Sequence, residues 1–432
     1  MKIVSLWYGL RSRSGWLRWG LGIKRWLVVL GLGALLAGMG FVYVILLLRR
    51  EDWLPTAVYN ILTLQFLPPV LRALLPLILG GVVMFVAVVN VAKNLVAPFR
   101  NPHEEVLPSL YDYRMRGRGP HIVAIGGGTG MPSLLRGLKG YTRNITAIVT
   151  VADDGGSSGR LRRELGVLPP GDFRNNLAAL ARDEALMTQV LQYRFGGSVG
   201  EGQGELRGHA FGNLLLAALT GIMGSFDGAL LAAERVLALQ GRVLPSTLEA
   251  VTLVADVQVA DGSVERVVGE SAIPKANGRI QHLYLEPGQV RAYPQTVQAI
   301  LQADLVVIGP GSLYTSILPN LLVSDLAQAL QRTRAAKIYV CNLATQPGET
   351  DNYSVADHVA TLLQHIPTNF LNIVLANSNL SVPPDTGGGN TLFVKPIAPT
   401  EMKMVTADLV DESQPWRHDS AKLAKAVMEL LA

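Results

Sequence analysis

The chain predicts an α/β fold: a Rossmann-like, mainly parallel sheet with helices on both faces, preceded by two transmembrane helices. Three observations carry this. Over residues 120–432, short β-branched apolar runs alternate with segments whose apolar residues recur at helical spacing, the pattern of βαβ units. Three glycine-rich loops fall directly after such runs. The first hundred residues differ in character, being strongly apolar and holding five of the six tryptophans.

In that first part, residues 26–48 (WLVVLGLGALLAGMGFVYVILLL) run for 23 residues without a charge, and residues 73–92 form a second charge-free stretch. Each can cross about 30 Å of hydrocarbon at roughly 1.5 Å per residue. The first run exceeds the roughly 7–15 apolar residues of a signal peptide, and no small-residue cleavage site follows it, so an anchor is expected. Lys2, Arg11, Arg13, Arg18, Lys24 and Arg25 precede the first span, and Lys93, Arg100, Arg114, Arg116 and Arg118 follow the second. Between the spans, Arg49, Arg50 and Arg72 are partly offset by Glu51 and Asp52. The positive-inside rule then puts both ends in the cytoplasm, as a multi-pass protein of the inner membrane. The formal charge of +5 thus reads as membrane orientation, not as a nucleic-acid footprint. Residues 98–119, with Pro98, Pro102 and Pro108, read as a linker. The expected organisation is a membrane anchor over 1–97, the linker over 98–119 and a nucleotide-binding domain over 120–432. The single cysteine, Cys341, excludes a disulfide framework or a multi-cysteine zinc site and fits a reducing compartment.

Within the domain, residues 122–125 (IVAI) form a strand that stops at GGGTG, and 131–138 carry helical spacing. Residues 145–151 (ITAIVTV) form the next strand. Further strands are expected over 248–257, 280–285, 305–308, 338–341 and 373–376, with helices including 176–181, 212–219 and 229–239. Asp261-Gly262 between two β-branched runs marks a hairpin, so a mixed sheet is expected.

The loops GGGTG (126–130), DDGGSSG (153–159) and GPGSLYTS (309–316) each stand between a strand and a helix. In open parallel sheets ligands bind outside the carboxyl ends of the strands, and helix N-termini offer unpaired N–H groups that suit phosphate. A phosphate-bearing ligand is therefore expected against Gly127, Gly128, Thr129, Ser157, Ser158, Gly311 and Ser312. Asp153 closes the second strand about 23 residues after Gly130, where a nucleotide fold places the acid for a ribose hydroxyl. Asp154 could hold a divalent cation or a second hydroxyl, or form an Asx-type turn. Arg160, Arg162 and Arg163 supply charge for phosphate oxygens, or Arg162 and Arg163 are simply solvated. Asp172 reads as a helix N-cap, and Arg174 and Asn175 follow it. His209 is either a core or capping histidine or a site residue, and Tyr314 likewise. Cys341 reads as a small buried hydrophobe. With Met131 where the third glycine would stand, a dinucleotide fingerprint is absent, which disfavours an NAD-dependent oxidoreductase.

The stretches IGGGTGMPSLLRGLK, VTVADDGGSSGRLRRELGVLPPGDFRNNL, GHAFGNLLLAAL, VVIGPGSLYTSILPNLLV, VCNLATQPGET and WRHDSAKLA, in this order, resemble the YvcK-type gluconeogenesis factors. These form a nucleotide-sugar-binding branch of the CofD-like (2-phospho-L-lactate transferase) superfamily. The resemblance implies a UDP-sugar ligand such as UDP-N-acetylglucosamine; the divalent cation read at Asp154 would be Mg2+. It implies a regulator of carbon metabolism, cell shape and envelope synthesis, with no catalytic residue assigned. By matching motif, Asp153, Asp154, Arg174, Asn175, His209, Asn213, Ser312, Tyr314, Asn342 and Glu349 fall around the ligand cleft. Arg417, in WRHD, matches a C-terminal arginine associated in the family with nucleotide-sugar binding. The competing expectation is a phospholactate-transferase-type enzyme using a nucleotide-activated acid and a divalent cation. Expected partners are the membrane, regulatory proteins and a second copy of the chain. The N-terminal spans are absent from the usual soluble members, and no tyrosine stands over 380–390, where such proteins often carry an aromatic.

Overall fold

The structure, a computed structural model, describes residues 23–51, 53–96, 117, 119–196, 204–366, 370–381, 392–400 and 402–431. The expected linker, apart from residues 117 and 119, lies outside the described residues, as do positions 1–22 and 382–391. The chain divides into two compact units, Met1–Met115 and Arg116–Ala432.

In the first unit, α1 (Ile23–Arg50) and α3 (Pro69–Val96) flank the short α2 (Thr56–Leu62). The stretches Leu30–Arg50 and Pro69–Val88 are long and apolar enough to cross a membrane, each with a mean hydropathy of 2.3. Their apolar side chains stay exposed within the unit, Leu36 and Ile78 each by about three-fifths. Such surface suits hydrocarbon, not water.

The second unit opens with β1 (Ile122–Gly126), α4 (Met131–Leu138), β2 (Ile145–Val149), α5 (Gly156–Leu165) and α6 (Gly171–Leu180). There follow α7 (Glu184–Gln192), α8 (Phe211–Met223), α9 (Phe226–Val236) and β3 (Arg242–Pro245). After β4 (Thr252–Gln258), β5 (Val264–Val268) and β6 (Arg279–Glu286) come α10 (Pro294–Leu301) and β7 (Leu305–Ile308). The chain closes with α11 (Leu318–Leu321), α12 (Ser324–Arg332), β8 (Ala336–Val340), α13 (Val355–His365), β9 (Ile373–Asn377), β10 (Lys403–Ala407) and α14 (Ser420–Glu429).

Seven strands form one sheet in the order β10-β9-β8-β7-β1-β2-β3, and every pairing in it is parallel. The chain moves outward from β1 through β2 to β3, then returns to the other flank of β1 as β7 and moves outward again. Ile122 thus pairs with Ile145 on one side and Leu305 on the other. This reversal is the switch point at which such sheets bind ligands. All of β1 and β7 is buried, because helices cover both faces of a parallel sheet.

The expected hairpin forms, but the mixed sheet does not. β4, β5 and β6 build a separate three-stranded antiparallel sheet, order β5-β4-β6. Leu253, Ala255 and Val257 alternate inward along β4, with Ile280, Leu283 and Leu285 of β6, so one face packs on the core in the ordinary antiparallel manner. β3 and β10 escape the apolar-run criterion. β3 is four residues ending in Pro245, tolerable because it is an edge strand, and no residue of β10 is fully buried.

Candidate functional site

The three glycine loops converge at the switch point. The 126–130 turn lies so close to the loop after β7 that a Cβ on Gly130 would stand 2.8 Å from the Pro310 carbonyl oxygen. Gly128 adopts φ +65°, and a Cβ there would meet Ser316 Oγ at 2.9 Å, so both conformation and space call for glycine. The Asn320 side-chain amide donates to the carbonyls of Gly126 (2.9 Å) and Ser316 (2.8 Å), lacing the two loops together. Gly311 N–H donates to Asn342 Oδ1 (3.2 Å), whose amide donates to Gln346 Oε1, and Gln346 donates to Ser312 Oγ (2.6 Å). Thr129 stands exposed at the tip of the first loop.

The second loop enters α5, whose first turn buries Ser157 and Ser158. Asp153 makes the Asx turn expected for its neighbour, accepting from Gly155 N–H at 2.9 Å. Its carboxylate also bonds Ser158. Asp154 instead reaches the connection between β5 and β6, accepting from Ser271 N–H at 2.9 Å.

Five expected site residues join in one hydrogen-bonded chain. Ser157 Oγ lies 3.0 Å from His209 Nδ1 and accepts from Asn213 Nδ2 (3.1 Å). Arg174 donates to Asn213 Oδ1 (3.1 Å) and Asn175 Oδ1 (3.0 Å), and Gln192 also donates to Asn175 (2.7 Å). Because Asn213 supplies a donor to Ser157, the hydroxyl proton is free to point at His209 Nδ1. Burial and the Arg160 charge lower the His209 pKa, so the ring is neutral at pH 7. Arg174 is buried at 6% exposure, forms no ion pair among the described residues, and its Nε has no partner. Burial, then the Arg194 charge, lowers its pKa.

Opposing this cation are carboxylates. Asp172 is not the N-cap of α6, which is Pro170; it sits within the first turn and accepts from Gly128 N–H at 2.7 Å. Burial, then the Asp153 charge, pushes its pKa up to about 6. Glu270, beyond β5, is raised to about 8 by burial and the charges of Asp153, Asp172, Asp154 and Glu349. Glu349 is raised to about 7 by burial; its Oε1 accepts from Thr315, while Oε2 is buried without a partner. The motif reading missed Glu270 and Gln346 and gave Asp172 the wrong role. Gln346 stands within the quoted QPGET run, but nothing in the sequence marks Glu270.

Among the described residues, no group of three or more His, Cys, Asp or Glu side chains is arranged to hold a metal. Asp154 therefore has no ready-made set of protein ligands around it, and a cation there would need phosphate or water oxygens as well. Tyr314 is a core residue, 1% exposed, its hydroxyl 2.9 Å from that of Tyr353. Arg417 is exposed. Its neighbour His418 is buried and bonded to the Cys341 backbone, just past β8, which brings the C-terminal segment to the carboxyl side of the sheet. Cys341 is buried, its thiol pushed up to about 12 by burial, and is unreactive.

Residues 122–431 match the family described as 2-phospho-L-lactate transferase CofD. The gluconeogenesis factor of Bacillus subtilis is 44% identical, over 73% of this chain and 99% of its own length. A relative from Nostoc sp. is 49% identical over 82% of this chain and 77% of its own. That share exceeds what the CofD match can supply, so the likeness extends into the segment before Ile122. The crystal structure of a member of the UPF0052 family from Bacillus halodurans superposes with a TM-score of 0.65 at 39% identity. It covers 71% of this chain and 99% of that one. The chain belongs to the gluconeogenesis factor (YvcK-type) family, and its α/β unit is a CofD domain.

Proposed function

We propose that this chain is a membrane-tethered regulator that binds a nucleotide sugar in the switch-point cleft and relays its abundance to carbon metabolism and envelope synthesis. The observation that carries the reading is Arg174. A buried guanidinium normally has an ion-pair partner, because desolvating an unpaired charge is costly. Here the amide oxygens of Asn213 and Asn175 hold it; Asp172 and Asp153 lie near enough to favour its charge, but it makes no ion pair among the described residues and its Nε is unpartnered. A diphosphate supplies the ion-pair partner, with the α5 N-terminus as a further donor. The carboxylates of Asp153, Asp154 and Asp172 offer acceptors for ribose or sugar hydroxyls, and Asp154 an oxygen for Mg2+ bound with the phosphates. α1 and α3 supply the tether, in the inner membrane with the α/β unit on the cytoplasmic side.

The test is equilibrium binding of the purified full chain, in detergent, to UDP-N-acetylglucosamine, UDP-glucose, UDP, ATP and NAD, with and without Mg2+. Binding of UDP-sugars that falls at least tenfold in Arg174→Gln is expected, and wild-type affinity in that variant refutes the site. The rival reading is the transferase after which the CofD family is described. Recovery of the nucleotide sugar unchanged after long incubation supports the regulator, while transfer or cleavage that is lost in Asp153→Ala establishes the enzyme. Retention of the chain in membranes through alkaline carbonate extraction checks the tether separately.

A further inference from the structure

A diphosphate in the switch-point cleft needs more positive charge than Arg174 supplies. A nucleotide sugar carries a negative charge on each of its phosphates, whereas Arg174 already has Asp172 and Asp153 near enough to favour its own charge. One cation among carboxylates holds such an anion weakly, because like charges in a buried site repel strongly. The cations that make up the balance stand beside the N-terminus of α8.

Arg194, just past α7, is tied to the Arg174 network from two directions. Gln192 donates to Asn175 Oδ1 (2.7 Å), the atom that also accepts from Arg174 (3.0 Å). Across the chain, Arg194 forms an antiparallel bridge with Ala210, the N-cap of α8, and Asn213 in the first turn of that helix accepts from Arg174 at 3.1 Å. The Arg194 guanidinium donates to the Gly208 carbonyl (3.0 Å), and that of Arg160, from α5, donates to the carbonyl before it, Arg207 (2.9 Å). Gly208 permits this, with φ +77° and a Cβ position only 3.2 Å from Arg160 Nη2. Two guanidiniums from different elements thus dock on consecutive carbonyls, and neither makes an ion pair among the described residues. Arg160 is half-buried and Arg194 exposed.

In the empty protein this is an unfavourable gathering of like charge. The N-termini of α5 and α8 meet at the same place, since Asn213 Nδ2 donates to Ser157 Oγ (3.1 Å), and each adds the positive end of a helix dipole. The Arg194 charge opposes that of Arg174. Glu164, one turn along α5 from Arg160, is exposed and pairs with none of these arginines. Arg174 itself is 6% exposed with Nε unpartnered, its other nitrogens being held by Asn213 and Asn175. We infer that Arg194, with Arg160 beside it, is the second cation of the ligand site: one phosphate lies on Arg174 Nε, the next on Arg194, and the site selects diphosphates over monophosphates. The inference rests on the cleft reading proposed above and adds a residue that the motifs did not mark. Arginine suits the position because its planar fork gives two parallel hydrogen bonds to a phosphate.

The test is equilibrium binding to the full chain in detergent at low salt, with UDP-N-acetylglucosamine, UMP and inorganic pyrophosphate as probes. Arg194→Gln should weaken UDP-N-acetylglucosamine and pyrophosphate by roughly tenfold and UMP by about twofold at most, and Arg194→Lys should restore part of the loss. The ligand-free Tm of Arg194→Gln should equal or exceed that of wild type, because a repelling charge has gone, whereas removal of a merely structural arginine lowers it. Wild-type affinity in Arg194→Gln, alongside loss in Arg174→Gln, overturns the inference and leaves the cleft reading standing. An equal loss for UMP, or a fallen ligand-free Tm, overturns it as well. Pyrophosphate that binds through both arginines while no UDP-sugar binds upholds the inference and removes the nucleotide-sugar reading instead. A wild type that binds none of the three probes overturns both.

Discussion

Replacing Asp172 by asparagine should stabilise the protein at alkaline pH and do progressively less as the pH falls. The carboxylate lies under the 126–130 loop, one oxygen accepting from Gly128 N–H, and its pKa is raised from the ordinary 3.8 to about 6, chiefly by burial. A raised carboxyl pKa means that the folded state holds its proton more tightly than the unfolded chain. The associated stability is complete below pH 4 and lost as the pH climbs through 6. About two pH units at 1.36 kcal/mol each give an upper bound near 3 kcal/mol at pH 8. Since the residue keeps a partly exposed edge, roughly 1–2 kcal/mol is the better figure after solvent screening. Asparagine keeps an acceptor for Gly128 N–H and has no charge to desolvate. For a domain of this size the gain corresponds to roughly 2–4 °C in Tm. It is measured by thermal unfolding of the full chain in detergent, wild type against Asp172→Asn, at pH 8 and pH 4.5. An equal shift at both pH values, or destabilisation at pH 8, would falsify the account and show an ionised Asp172 tied to Arg174.

Gly128→Ala should destabilise the fold by about 1–2 kcal/mol, the usual penalty for a side chain in the left-handed region. Ser316 Oγ, 2.9 Å from the new Cβ, must also move; an unchanged Tm refutes the reading of the loop. His365 holds β6 to α13, its Nδ1 bonded to the Thr361 carbonyl and its Nε2 accepting from Leu283 N–H. Burial and His282 lower its pKa, so stability should be lost as the pH falls below about 6.5, and His365→Gln, which cannot titrate, should flatten that acid limb. Arg417→Ala should leave thermal stability within about 0.5 kcal/mol, as for an exposed position. If it leaves UDP-sugar affinity intact as well, the C-terminal arginine plays no part in binding here.

Much of this was legible in the sequence because strand and loop signals are local. The runs IVAI and LVVI each end at a glycine turn, and a chain that alternates such runs with helices has a parallel sheet as its simplest packing. The clefts of such sheets open at the same loops. The hairpin at Asp261-Gly262 was equally plain, but which sheet it joins depends on contacts far away in sequence, so the mixed-sheet expectation failed. Glu270 was invisible for the same reason. The Ser271 beside it binds Asp154 across 117 positions, and nothing local to a glutamate after a strand announces that link. Asp172 shows the opposite error. A local rule made it a cap, whereas the 126–130 loop descends on it and changes its role. Tyr314 stands in a π-helical turn, which turns its ring into the core although its motif lies along the cleft.

Several residues that break the usual rules of burial stand together at the switch point. Buried polar atoms without a partner also occur away from it, at Thr188, Tyr339, His358 and His418. At the switch point, a buried arginine lacks an ion-pair partner, a buried glutamate oxygen lacks a donor, and Asp172, Glu270 and Glu349 are raised by burial. Each lowers the stability of the empty protein. The charged ones, Arg174, Asp172, Glu270 and Glu349, gather around loops that the sheet topology independently designates as a ligand site. Their charges are also of the kinds that a phosphate, a cation or a row of hydroxyls would satisfy. Ligand binding should therefore raise the Tm by more than mass action on a neutral cleft would, and Asp172→Asn, already relieved of its burial penalty, should gain less from the ligand than wild type does.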